Sequence, residues 1–279
     1  MLSQDNNKER GEITVEDANS SKIESQYSLA KILLIWFAIA APMGILAWII
    51  KPAVAPDFES DPLGVAQVKL GLLLLGLIWT FALSMIIVYR ESGNLRWTTI
   101  KERFWLNKPK DHKTGEPRNR LWLWLIPGAL IIFLVWTFAP LTVDRWWITL
   151  FPFFTAPPDG NIGEVLQKPD ITAQLAGDWL FLGLFLILAV FNIFGEEFIF
   201  RGVLLPKAKG VFHNWDWVVI GVLFGCYHFH QPWMILGAII IGLLLSFMAK
   251  WFRCTWMAII IHSLQFVVLL PMVFMAFLG

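Results

Sequence analysis

The chain has 279 residues, of which 57% are hydrophobic and only 15% charged. A composition this apolar excludes a soluble globular fold. A formal net charge of +1, with no basic stripe interleaved with aromatics, gives no footprint for nucleic acid, so none is expected as a partner.

Residues 1–28 are polar, carry mixed charges and lack the basic start and cleavage site of a signal peptide. They are predicted to be a disordered cytoplasmic tail, and residues 29–279 a single transmembrane helical domain. The first apolar run, 29–50, is long enough to span, with a kink expected at Pro42. An acidic, proline-bearing segment follows at 52–63 and reads as an exterior loop, and a second span covers 68–89.

Residues 90–120 carry nine lysines and arginines, from Arg90 to Arg120, which the positive-inside rule places in the cytoplasm. Within them, 98–106 reads either as an amphipathic surface helix with Ile100, Phe104 and Trp105 toward lipid, or as a solvated basic loop. A third span is expected over 121–141. The exterior region 142–178 includes an apolar stretch, 146–154, too short to cross. The fourth span, 178–205, returns inward. A fifth run, 217–231, stops at Pro232, and the sixth and seventh cover 233–249 and 256–278. With the amino terminus inside, every basic cluster falls on one side of this layout. The fold class is therefore all-α: a polytopic helical bundle of about seven spans, integral to the lipid bilayer of the cell membrane.

Tryptophans such as Trp36, Trp122, Trp217, Trp251 and Trp256 fall where apolar runs meet charge, as interface anchors do. Cys226 and Cys254 lie in or beside apolar segments without metal-type spacing, so they read as small apolar fillers.

One stretch breaks the pattern. Residues 179–195 contain no charge, and directly after them come Glu196, Glu197 and Arg201 in Gly195-Glu-Glu-Phe-Ile-Phe-Arg-Gly202. Ionised groups at membrane depth cost at least ~2.5 kcal/mol each, so they require partners, water or a function. On a helix Glu197 and Arg201 are an i,i+4 pair, whereas Glu196 points to another face and is left as the unpaired carboxylate. His228 and His262 stand alone in later helices. Counted from the nearest cytoplasmic markers, Glu196, His228 and His262 all lie roughly 13–18 Å deep, so they can share one buried cavity. Gly221 and Gly225 have the small-xxx-small spacing that lets a neighbouring helix approach near His228. Taken singly, each histidine could equally be a polar residue bonded between helices.

Glu196-Glu197-x-x-x-Arg201, Phe224-x-x-x-His228 and His262 together resemble the three-motif signature of the CAAX protease and bacteriocin-processing family, the Abi or Rce1-like intramembrane proteases. The resemblance covers residues 192–266, and the catalytic core is expected within about 178–279. It implies that Glu196 is the water-activating base, that His228 helps hold the water, that His262 supports the oxyanion, and that Glu197 and Arg201 are structural. One position departs: Phe266 stands where the family usually has Asn or Asp, and phenylalanine offers no hydrogen bond. The neighbouring Gln265 is expected to supply the missing donor.

Three functions follow. The leading one is endopeptidase cleavage of a membrane-associated or prenylated peptide by glutamate-activated water, with no cofactor. The second makes Glu196, His228 and His262 ligands of a catalytic zinc, although the spacing of soluble zinc proteases is absent. The third is a non-catalytic membrane relative that binds peptides without hydrolysing them, and it rests on Phe266.

Overall fold

The computed structural model describes residues 26–279, so the expected tail lies outside the described residues up to position 25. The described residues form no strand beyond one isolated bridge, Lys110 to Pro117. Among the described residues six helical stretches are long and apolar enough to cross a membrane: Leu29–Val54, Pro62–Ser92, Asn119–Leu150, Trp179–Lys207, Pro232–Phe252 and Thr255–Leu278.

Helix α1, Leu29–Ile45, runs through a π-helical turn, Leu46–Ile50, into Lys51–Val54. Pro42 has no N–H to donate to the carbonyl of Ala38, and that carbonyl instead accepts the Trp79 indole N–H at 2.8 Å. Helix α2, Pro62–Ser92, starts with the Asp61 carboxylate capping the Gly64 N–H at 2.8 Å and stops at Gly93, whose φ of 71° lies in the left-handed region that ends helices. Tyr27, just ahead of α1, is buried. Its N–H donates to the Lys207 carbonyl at 2.9 Å and its hydroxyl to Glu91 at 2.6 Å. Burial, with the Glu91 carboxylate beside it, pushes this phenol above its ordinary range.

The basic segment departs from both expectations for it. After a short helix α3, Trp97–Arg103, the Phe104 side chain is fully buried against Phe198, ring centroids 4.5 Å apart, and Leu106 is buried too. Phe104 and Leu106 thus face protein rather than lipid. The segment is stitched to residues 252–255 through Lys110 N–H to Phe252 O at 2.8 Å and Thr255 N–H to Trp105 O at 3.0 Å. Helices α4, Leu125–Phe138, and α5, Val143–Leu150, follow. The buried Asp144 of α5 accepts the Gly237 N–H at 2.9 Å, 93 positions along the chain.

Helix α6, Trp179–Glu197, is capped by Asp178, which accepts the Phe181 N–H at 2.7 Å. It passes into a π-helical turn, Phe198–Leu204, that carries Arg201, and ends with Leu205–Lys207. Helix α7, Asp216–Tyr227, has 12 residues and is thus only about 18 Å long. It is the expected fifth span, and it falls short of crossing as a regular helix. Pro232 disfavours a helical conformation in the preceding residue, and Gln231 lies at φ −134°, ψ 67°, after a 3-10 turn His228–His230. Helix α8, Ile235–Phe252, doubles back along α7. A Cβ on Gly221 would stand 2.8 Å from the Leu243 Cα, and one on Gly242 2.4 Å from the Gly221 carbonyl, so this pair packs backbone to backbone. Helices α9, Thr255–Ser263, and α10, Gln265–Leu278, complete the bundle.

Two apolar cores result. The larger joins α1, the π turn of α6, α7, α8 and α9. The smaller joins the start of α2, the first half of α6, and α10, with Phe181, Phe185 and Phe266 inside it. Large apolar side chains such as Phe37, Ile126 and Phe133 cover the outside, as lipid contact requires.

Candidate active site

The last turn of α6 delivers Glu196 and Glu197 to the bundle interior, where they are 2% and 0% exposed. Glu197 accepts from Arg201 Nη1 at 3.1 Å, the i,i+4 pair expected from the sequence. Arg201 is itself fully buried. Its Nη2 donates to the Gly242 carbonyl at 3.2 Å, which the bare backbone of α8 leaves reachable, and its guanidinium lies over the Phe224 ring, 4.3 Å from the centroid. One buried charge is thus met by a carboxylate, a carbonyl and an aromatic face, as a guanidinium out of water requires.

Glu197 has a second partner that the helical pattern did not reveal. Its Oε1 lies 2.8 Å from His262 Nδ1 on α9. A carboxylate acceptor at Nδ1 fixes a proton there and turns Nε2 away from it. That Nε2 stands 3.8 Å from Oε2 of Glu196. Oε2 is buried without a hydrogen-bond partner, and a water bonded to both atoms would sit to one side of the line that joins them.

His228, at the end of α7, is half-buried, with its Nδ1 2.9 Å from the Phe224 carbonyl four residues earlier. Its ring packs on Phe224 at 4.8 Å between centroids, and the edge of Phe224 in turn meets His262 at 6.0 Å. Phe224 therefore separates and orients the two histidines. His230 lies beyond, against a small cavity of about 50 Å³ lined also by Lys51, Lys69 and Asp159.

The sequence passed over Asn192. Four residues before Glu196, it faces the same side of α6, and its Nδ2 donates to Glu196 Oε1 at 3.2 Å. Gln265 Nε2 donates to Asn192 Oδ1 at 2.7 Å, so the Gln265 amide reaches Glu196 through Asn192. The available signal was that Asn192 is the one amide side chain in the uncharged run 179–195. Phe266 packs against α6, as His262 does, but nearer the start of that helix. The chain tightens at 261–267, with i to i−3 bonds from Leu264 N–H to Ile261 O at 3.2 Å and Val267 N–H to Leu264 O at 3.0 Å. Phe266 lies in the smaller core against Phe185, centroids 6.0 Å apart. Among the described residues no group of three or more His, Cys, Asp or Glu side chains is placed to hold a metal ion.

Residues 178–268 match the family model described as Type II CAAX prenyl endopeptidase Rce1-like. The matched stretch, about a third of the chain, runs from the cap of α6 to the first turn of α10 and contains every site residue named above. It bears out the resemblance read from the motifs, and the family is one of proteases. No curated protein and no solved structure matches the chain.

Proposed function

We propose that this multi-pass, Rce1-like membrane protein is an intramembrane endopeptidase in which Glu196 activates water against a peptide bond. The observation that carries the reading is the paired geometry of Glu196 and His262: an unpartnered buried carboxylate oxygen 3.8 Å from an imidazole nitrogen whose ring is held from behind by Glu197.

The chemistry follows from those positions. A water between Oε2 and the imidazole gives a proton to Glu196 as its oxygen bonds to the scissile carbonyl carbon, and the carbonyl π electrons move onto oxygen. His262, its positive charge offset by Glu197 when doubly protonated, donates from Nε2 to that oxyanion. Collapse of the tetrahedral intermediate breaks the C–N bond, and the proton held by Glu196 passes to the leaving amine. His228, its Nδ1 occupied by the Phe224 carbonyl, has Nε2 free to bind water or substrate. Arg201 holds Glu197, and through it the angle of His262. The amino terminus and the basic segment 90–120 lie in the cytoplasm on this reading, with the site open to that side. The family description adds a substrate class, a peptide ending in a prenylated CAAX motif.

The test is cleavage of two fluorogenic peptides in proteoliposomes, one farnesylated at a CAAX terminus and one an unprenylated membrane peptide. Wild type is expected to cleave at least the farnesylated one, Glu196→Gln neither, and cleavage should survive exhaustive chelation. Loss in chelator with recovery on added zinc would replace the glutamate mechanism with a metal one. Binding without cleavage of either peptide would favour the non-catalytic reading.

A further inference from the structure

We infer that Asn192 is the positioning residue for Glu196, and that Gln265 acts on the site only by holding Asn192. The inference rests on the proposed role of Glu196 as base. Three residues from two helices make the chain: Gln265 Nε2 to Asn192 Oδ1 at 2.7 Å, then Asn192 Nδ2 to Glu196 Oε1 at 3.2 Å.

The direction of this relay fixes its chemistry. An amide presents one accepting oxygen and one donating nitrogen. A carboxylate oxygen only accepts, so Asn192 turns its nitrogen to Glu196 and its oxygen away, where the Gln265 amide donates to it and holds it in that orientation. Binding Oε1 fixes the carboxyl plane, and this leaves Oε2 as the oxygen toward His262. A carboxylate free to rotate at the end of two methylenes would spend most of its time elsewhere. The site thereby gains an amide from α6 itself. Position 266, where the family pattern places its amide, is occupied by a phenylalanine turned into another core.

Two readouts test this, one independent of turnover. In isotope-edited infrared spectra of the full chain in proteoliposomes, the carboxyl band of Glu196 is identified by its loss in Glu196→Gln. Asn192→Leu and Asn192→Ala should both shift that band, and Gln265→Ala should shift it in the same direction by less. With the farnesylated fluorogenic peptide, Asn192→Leu should lower kcat by about 10- to 100-fold, the cost of a misaligned reacting group, while KM stays within about twofold. The Asn192→Leu/Gln265→Ala double variant should match Asn192→Leu alone, since residues in one relay are not additive. An unmoved band in both Asn192 variants would overturn the inference. So would a double variant whose losses multiply, because Gln265 would then act on its own. If wild type cleaves nothing but the band shifts as expected, the relay stands and the hydrolase reading fails.

Discussion

At the scale of single residues, the two adjacent glutamates have different partners, Asn192 for Glu196 and Arg201 for Glu197, and the proposed function gives them separate tasks. Glu196→Gln removes the proton acceptor and should abolish turnover in a protein that still folds, as read by thermal unfolding in detergent. Glu197→Gln keeps an accepting oxygen for Arg201 and His262 but removes the negative charge that faces the buried guanidinium. It should cost about 3–5 kcal/mol of stability and lower kcat as well, because a neutral amide holds the imidazole less strongly than a carboxylate does. Pairing of Glu197 with Arg201 was legible from spacing alone, since i,i+4 is a local rule. Its contact with His262, 65 positions away, depends on how α9 docks on α6, and no local rule supplies that. Phe266 shows the same limit. Spacing puts it one helical turn beyond His262, and only the docking of α10 on α6 brings it into the smaller core against Phe185. Phe266→Asn should therefore not raise activity. It buries an amide beside Phe185 and should lower stability by about 1–3 kcal/mol in the same unfolding measurement.

At the scale of elements, the site depends on how closely α7 and α8 approach. Gly221, marked by small-xxx-small spacing, does meet a neighbouring backbone, with Gly242 as the facing glycine. Gly221→Ala would place a Cβ 2.8 Å from the Leu243 Cα, which cannot rotate away. It should separate the helices, withdraw the Gly242 carbonyl from Arg201, and lower both stability and kcat, by about 1–3 kcal/mol in stability. The apolar runs of the longer helices were legible because lipid demands apolar length. The limits of α7 were less so: the sequence shows a run to Pro232, but whether its last residues stay helical is decided by tertiary contacts around His228–His230. The buried Phe104 likewise owes its place to the π turn of α6, where Gly202 leaves room for its ring.

At the scale of the whole molecule, one end of the bundle carries the basic segment 90–120 and the α8–α9 junction, and the other carries Lys51 and Asp159, which are ion-paired. Exposed single cysteines at Lys113 and Glu59, in a background with Cys226 replaced, should be labelled by an impermeant maleimide from opposite faces, Lys113→Cys from the cytoplasmic one. Native Cys254 should stay silent. Its thiol is buried, bonds the Asn107 carbonyl at 2.8 Å, and is pushed by burial up to about 11.

The central claim, that Glu196 drives hydrolysis of membrane peptides, is tested most directly without choosing a substrate: new carboxyl termini are mapped by mass spectrometry in membranes of cells expressing wild type or Glu196→Gln at equal, folded levels. The account predicts at least one membrane-peptide terminus that is present with wild type and absent with Glu196→Gln. Identical sets of termini in the two membranes would contradict it.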